Sequence, residues 1–408
     1  MPPPPEARTH WRLIALLYSA GLLAALQYAK IPHMLPGLLG QTAMNSLQQA
    51  VALSVIGAAG LLAGTFAGAL AQAVGLRRTL LLGMGVGVVG ALMPLASGSY
   101  ALLLLARWVE SVAHMAMVVA VPTLILQYCA ARDRSKAMAL WSCYFTVTFI
   151  AAAALAPGVL ALAGWQGFAV LHALLLLAVA GALSLQLPTA IAAGSGTAQA
   201  AAPRSVRSLL QAQRRLLVSA KLRAIPATFF GYTLLFVALV SVLPGLVTAT
   251  PEAASQMAVA LPCASLLGTV IAMFALGRGI AGTGLVRLSG LGLVLAGAGL
   301  VFLPAAGPLS QGVVLAAFVM LGSLPAGIIS TLPALFPADH PDIALVNGGL
   351  VQFGNLGNFV GSPILASLLV RFGWPSVGLY MLAGALVVML GLLFLQRYCL
   401  AAGQAKQG

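Results

Sequence analysis

Long apolar runs separated by short polar segments make up most of this chain. They cover about residues 13–35, 47–71, 79–98, 100–128, 138–162, 165–187, 226–248, 256–276, 284–304, 311–336, 344–370 and 375–396, numbered here as spans 1 to 12. Each run can cross a bilayer core of about 30 Å as a helix that rises about 1.5 Å per residue. The runs are continuously apolar rather than alternating, which favours helices over barrel strands. The pattern predicts an all-α membrane protein with twelve transmembrane helices.

Composition supports a lipid environment. The chain is 61% hydrophobic and only 6% charged, whereas soluble domains carry about 25% charged residues. The net charge of +14 could suggest nucleic acid, but its placement argues against that partner. With the N-terminus inside, 17 of the 20 Lys and Arg residues lie on the cytoplasmic side, and Lys30, Arg107 and Arg371 are the exceptions. By the positive-inside rule, both termini are predicted to be cytoplasmic. Anionic lipid is a secondary attraction.

The chain divides near its middle. Residues 189–222 are first rich in Ala, Gly and Ser and then basic, which is typical of a cytoplasmic linker. We therefore predict a tail at 1–12, a six-helix bundle at 13–188, the linker at 189–222, a second six-helix bundle at 223–397 and a tail at 398–408. The apolar run of span 1 is too long for a cleaved signal, so we interpret it as a retained helix. "GTFAGALA" from Gly64 echoes "GTVIAMFA" from Gly268, which indicates two pseudo-symmetric halves.

Three motifs carry a resemblance to a known family. "GALAQAVGLRR" is similar to the family's loop between spans 2 and 3 through Gly68, Gly75, Arg77 and Arg78, although Gln72 and Ala73 replace an acidic and a basic position. "RWVESVAH" in span 4 is similar to its arginine motif, with Glu110 in place of glutamine. "APGVLALAGW" in span 5 is similar to an antiporter motif through Pro157 and Gly158. The chain thus resembles the major facilitator superfamily. The resemblance implies a bacterial inner-membrane transporter of alternating access, with spans 1 and 4 lining the cavity.

Span 4 places charge inside the predicted membrane. At 100° per residue, Arg107, Glu110 and His114 share an arc of about 60°. A charge at the bilayer centre costs about 2.5–3.5 kcal/mol or more, so this arc should face protein or water. Glu110 is the only carboxylate well inside any predicted span, which makes it the first candidate for proton coupling, with His114 as the second. The alternatives are a fixed Arg107–Glu110 pair and a histidine used only for packing.

Polar side chains in other spans complete the candidate set. Substrate-binding candidates are Gln27, Tyr28, Lys30, Arg107, Tyr144, Tyr232, Gln352, Asn355 and Asn358. The last three recur every third residue of span 11, and hydrogen bonding between helices beside Gly354, Gly357 and Gly361 is the alternative use of this stripe. His172 in span 6 is expected to be structural. With Glu110 ionised, Lys30, Arg107 and Glu110 sum to +1, so a neutral or anionic solute is favoured, such as an organic acid, a nucleoside-like compound or a siderophore.

These observations predict a secondary active transporter that exports a small organic solute in exchange for protons. The alternative is an importer or facilitator of a small organic anion, with Arg107 and Lys30 as the anion site. A sensor that has kept the fold but not the transport is a third class. No enzyme, cofactor or metal is expected, since the sequence has neither a phosphate-loop lysine motif nor a clustered His/Cys set. The partners expected are the solute, protons and the bilayer, and the chain is expected to be monomeric.

Overall fold

The computed structural model describes residues 8–96, 98–188, 206–336, 340 and 342–404. Every regular element among these residues is helical. The helices are α1 Trp11–Leu39, α2 Ser46–Ser54, α3 Ala58–Val74, α4 Leu76–Leu92, α5 Tyr100–Gln127, α6 Arg134–Ser142, α7 Tyr144–Gln186, α8 Val206–Val218, α9 Ala220–Leu246, α10 Pro251–Gly277, α11 Gly282–Phe302, α12 Pro308–Ile329, α13 Leu332–Leu335, α14 Ile343–Phe372 and α15 Pro375–Gln404.

The helices account for the predicted spans. Within the described residues, eleven helical stretches are long and apolar enough to cross a membrane. One of them, α7, is 43 residues long and contains a non-helical residue, Gly164, with φ 62° and ψ −172°. Such a positive φ is readily adopted only by glycine. Gly164 separates predicted spans 5 and 6, so the eleven stretches correspond to twelve spans. Span 5 begins later than predicted, because residues 134–142 form the separate helix α6.

Side-chain caps mark several helix starts. Asn45 caps α2 in a reciprocal capping box with Gln48. This arrangement gives a hydrogen-bond acceptor to two backbone N–H groups that have none within the helix. The Ser99 hydroxyl accepts from Leu102 N at 3.1 Å at the start of α5. Thr250 caps α10, where Pro251 takes the first helical position. These polar residues therefore set where apolar segments become helices.

Contacts between helices divide the chain into two compact units. The first comprises Met1–Ala43 and Ala67–Ala202, and the second comprises Met44–Phe66 and Pro203–Gly408. In the first unit, α1 packs on α5 and α7, and α4 packs on the same two helices. In the second, α9 packs on α14 and α15, α10 packs on α12, and α11 packs on α12 and α15. The predicted linker is described from Val206 onward as α8, and its first part lies outside the described residues.

Residues 44–66 belong to the second unit, although the predicted bundle at 13–188 includes them. The reason is close packing of glycines on α14. A Cβ added to Gly57 would lie 2.7 Å from Asn355 O, and one added to Gly64 would lie 2.7 Å from Gln352 N. Small residues let membrane helices approach this closely, and dispersion and hydrogen bonding then hold them together.

Candidate functional site

A cluster of charged side chains lies inside the first unit. Glu110 of α5 accepts a bond from Lys30 of α1 on Oε1 and a bond from Arg107 on Oε2. Lys30 is 2% exposed, and Arg107 and Glu110 are each 1% exposed. The structure thus joins these three residues, whose charges were summed in the sequence analysis, into one cluster. We name Lys30, Arg107 and Glu110 the charge cluster.

Neighbouring backbone holds the charge cluster in place. Arg107 Nη1 also donates to the carbonyl oxygen of Gln27 at 2.7 Å. Gly90 of α4 packs against the side chain of Glu110, since a Cβ added to Gly90 would lie 2.7 Å from Glu110 Cγ. A methyl group at residue 90 would therefore collide with the glutamate. The site depends on α1, α4 and α5 packing at close range.

His172 of α7 also belongs to this site, although the sequence analysis expected it to have only a structural role. Its Nε2 lies 3.1 Å from the carbonyl oxygen of Leu23, and its Nδ1 lies 3.0 Å from Lys30 Nζ. A carbonyl oxygen can only accept, so Nε2 carries the hydrogen and Nδ1 accepts from the lysine. His172 is thus a neutral acceptor for Lys30. A histidine in an otherwise apolar run was the available signal, but no spacing relates residue 172 to residue 30.

His114 has different partners from Glu110. Its Nδ1 lies 2.9 Å from the carbonyl oxygen of Ala24, to which it donates. The ring of Tyr28 meets it edge-on, with centroids 5.0 Å apart. Tyr28 also contacts Phe145 at 5.5 Å. This is a packed aromatic arrangement beside α1, and a proton-coupling role for His114 stays a prediction.

Gln27 is the least satisfied polar side chain near the charge cluster. It is fully buried, and neither its amide nitrogen nor its amide oxygen has a hydrogen-bond partner among the described residues. A buried polar group without a partner costs about 1–3 kcal/mol. Its amide nitrogen lies 3.1 Å from where a Cβ on Gly87 would stand. An amide of this kind can donate to and accept from a bound solute.

The remaining substrate-binding candidates lie elsewhere. Tyr144 stacks on Trp141 in the first unit, with ring centroids 4.2 Å apart. Tyr232 belongs to the second unit and packs between Phe229 and Phe236. The structure therefore brings Lys30 and Arg107 together at Glu110 and joins Gln27 to Arg107 through its backbone carbonyl, while these two tyrosines belong to aromatic stacks.

The polar stripe of α14 is largely engaged inside the second unit. Gln352 Nε2 donates to the carbonyl oxygen of Leu61 at 3.0 Å, and its Oε1 accepts from Gln213 of α8 at 3.1 Å. Asn355 Nδ2 donates to the carbonyl oxygen of Val351 at 2.8 Å. Asn358 Oδ1 is buried without a hydrogen-bond partner among the described residues. Gln352 thus makes the hydrogen bonds between helices that were the alternative interpretation, whereas this bond of Asn355 lies within α14.

The loop and antiporter-like motifs lie in the first unit. Gly75, with φ 94°, joins α3 to α4. Arg77 donates from Nε to Leu187 O and from Nη2 to Ser184 O, both at 3.0 Å, so it caps the carbonyl end of α7.

The other motif residues have open surroundings. Arg78 is exposed, and an added Cβ at Gly68 or at Gly158 would meet no atom within 4 Å. Pro157 lies inside α7.

Comparisons with known proteins agree with this architecture. The family model described as Major Facilitator Superfamily matches residues 17–352, more than half of the 408 residues. The comparison with curated proteins found no match. Among solved structures, the human organic anion transporter MFSD10 (TETRAN) superposes with a TM-score of 0.69 at 17% identity, covering 96% of this chain and 100% of that one. The predicted family and fold are confirmed: the chain belongs to the Major Facilitator Superfamily and is a multi-pass membrane transporter rather than an enzyme.

Proposed function

We propose that this protein moves a small organic anion across its membrane by alternating access and couples that movement to protons through Glu110. The observation that carries the proposal is the charge cluster, in which one buried carboxylate holds two buried cations. Charged groups inside a membrane are costly and usually mark ion or substrate pathways.

Charge balance favours an anion as substrate. With Glu110 ionised, the charge cluster carries a net charge of +1, and His172 adds none because its Nδ1 accepts from Lys30. A bound monovalent anion would neutralise this excess. Two of the three ammonium hydrogens of Lys30 are used by Glu110 and His172, which leaves one for a substrate oxygen. The amide of Gln27 adds a neutral donor and acceptor. The human protein of similar fold is an organic anion transporter, which agrees with this choice of substrate class.

The geometry also implies a sign for the coupling. Protonation of Glu110 removes the negative charge that occupies Lys30 and Arg107, so both cations become available to an anion. Proton and anion therefore favour each other's binding, and by thermodynamic reciprocity the effect is equal in both directions. Ligands that promote each other's binding travel together. This supports proton-linked uptake of an anion, in which Lys30 and Arg107 form the anion site.

Export in exchange for protons is the second candidate. It is supported by the α7 segment Ala156–Pro157–Gly158, which resembles an antiporter motif. Exchange requires proton and substrate to compete for one site. A solute that donates a hydrogen bond to the ionised carboxylate of Glu110 would meet this requirement, because protonation of Glu110 removes that acceptor. The siderophores and nucleoside-like compounds considered from the sequence are solutes to test for this case.

Purified protein in proteoliposomes separates the two candidates. We expect radiolabelled organic acids to accumulate when the outside is made acidic, with protons entering together with the acid. Glu110→Gln should abolish accumulation driven by the pH gradient but retain exchange of labelled for unlabelled anion. Accumulation only when the inside is acidic would support exchange, and transport confined to cations would overturn the anion site.

We further propose a bacterial inner membrane, a monomer and cytoplasmic termini. The orientation is supported by the placement of Lys and Arg in the loops. In a variant whose four native cysteines are replaced by serine, single cysteines introduced near residues 10 and 280 should react with a membrane-impermeant maleimide only after cells are opened. Labelling in intact cells would reverse the orientation.

A further inference from the structure

Helix α8 is docked on the second unit by one face. Leu216 is fully buried, and its Cδ1 lies 3.0 Å from where a Cβ on Gly349 would stand. Gln213 Oε1 accepts from Thr65 Oγ1 at 3.0 Å, and its Nε2 bonds to Gln352. Arg215 Nη2 donates to Asp342 Oδ1 at 2.7 Å. These contacts fix the orientation of the helix about its axis.

The free face of α8 is amphipathic. Leu210 and Leu217 are 65% and 45% exposed, and seven residues of separation place them about 20° apart on the helix. Arg207 and Arg214 are also exposed and form a parallel row about 40–80° further round. A row of leucines beside a row of arginines is the pattern of a helix that lies in the plane of a membrane interface.

A cavity of about 660 Å³ opens beside this face, where α8 passes into α9. Its walls include Arg214, Val218, Lys221, Phe336, His340 and Asp342. We name this the basic pocket.

The polar atoms of the basic pocket favour an anion. Asp342 is engaged by Arg215, whereas Arg214 and Lys221 pair with no carboxylate among the described residues. Lys221 Nζ lies 5.3 Å from the centre of the Phe336 ring. His340 Nδ1 accepts from Asp342 N at 3.1 Å, so Nε2 carries the hydrogen of the neutral ring and can donate. Within the described part of the chain, the pocket thus combines two cations that pair with no carboxylate and a neutral donor with apolar walls.

We propose that the basic pocket binds the headgroup phosphate of an anionic phospholipid, while Leu210, Leu217 and Val218 contact its acyl chains. Val218 is 71% exposed at the edge of the pocket, which suits contact with lipid better than contact with water. A free phosphate would use the cations but would leave these apolar side chains without a partner. Gln213 bonds α8 to Gln352 of α14. A lipid that holds α8 in this position therefore also stabilises the contact between α8 and α14.

Lipid titration of the full-length protein, followed by native mass spectrometry, tests this site. Phosphatidylglycerol should bind more tightly than phosphatidylcholine. Each pocket cation should contribute roughly fivefold to the affinity of the tightest phosphatidylglycerol site, so R214Q/K221Q should weaken it about 25-fold. Arg207→Gln is the matched control, since it removes the same charge from the same row outside the pocket, and it should change the affinity less than about twofold. Arg214→Lys should retain most of the binding.

Two further measurements separate the competing explanations. Adding phosphatidylglycerol should slow hydrogen exchange in residues 206–218, and L210S/L217S should reduce that protection while the Tm without lipid stays unchanged. Equal losses in R207Q and R214Q would show diffuse attraction and overturn the pocket. Inorganic phosphate that displaces the lipid at equal concentration would assign the site to free phosphate instead.

Discussion

In the first unit, two cations, a carboxylate and a neutral histidine bond to one another inside the membrane. In the second, the buried polar side chains of the described residues are mostly hydroxyls that bond to nearby backbone. Thr269 Oγ1 donates to Gly322 O at 2.8 Å, and Ser289 and Ser323 share a hydrogen bond at 2.5 Å. Hydroxyls can be satisfied one at a time by a helix carbonyl, whereas a buried charge needs a counter-charge. The contrast places the buried charged side chains of the described residues in the first unit and close helix packing in the second.

The largest expected effect is loss of the carboxylate. Glu110→Ala leaves Lys30 and Arg107 buried without their shared counter-charge, so the free energy of unfolding should fall by roughly 3–5 kcal/mol. Tm measurements on the purified protein would detect this change. The double variant E110Q/R107Q keeps neutral hydrogen-bonding groups at both positions and leaves one unpaired cation, Lys30, instead of two. Its Tm should therefore lie between those of Glu110→Ala and the native protein. An unchanged Tm in Glu110→Ala would mean that the charge cluster is well hydrated and that the contrast between the units is overstated.

The second prediction concerns the histidine. His172→Gln keeps a donor near Leu23 O but loses the acceptor for Lys30, whereas His172→Asn can keep that acceptor. A hydrogen bond to a charged group contributes about 1.5–3 kcal/mol, so His172→Gln should raise the KM for the transported anion roughly tenfold or more, with little change in kcat. His172→Asn should stay closer to the native KM and pH profile. Equal behaviour of the two variants would return His172 to a purely structural role.

The third prediction addresses packing in the second unit. A Cβ on Gly357 of α14 would stand 2.7 Å from Leu234 N and 2.9 Å from Phe230 O. Gly357→Ala should therefore lower the free energy of unfolding by about 1–3 kcal/mol. Gly299→Ala in α11 is the control, because its Cβ would meet no atom within 4 Å. The control should leave Tm unchanged or raise it slightly. If both substitutions have the same effect, close helix approach at α14 is not what stabilises this unit.

The smallest expected effect is the loss of one hydroxyl. Thr269→Val removes the hydroxyl that donates to Gly322 O. The loss should be small, because Gly322 O is a carbonyl inside a helix and its backbone surroundings do not change. The cost in unfolding free energy should be about 1 kcal/mol, read as a small fall in Tm with transport unchanged. A loss comparable to that of Glu110→Ala would erase the difference between the two units.

Much of this architecture could be predicted from periodicity alone. Continuous apolar runs located the spans because lipid requires helices whose backbone bonds are internal. The i, i+3 spacing of Arg107 and Glu110 indicated that they could pair, which was the alternative to a coupling role. The association of Lys30 with Glu110 needed the family resemblance, since 80 residues separate them. His172 was missed because its partner Lys30 lies 142 residues away and its ring is equally suited to a packing role.

The sequence by itself determined that lipid surrounds this protein, how many spans cross the membrane, and that Glu110 is the one carboxylate well inside the predicted spans. These properties follow from local composition and from the one-dimensional order of charges along the chain. Only the tertiary structure decided that His172 accepts from Lys30, that Gln352 bonds to α8, and that residues 44–66 pack with the second unit. Each of these depends on which helix faces come together, and helix packing is set by the shapes of many side chains and glycines at once rather than by any one stretch.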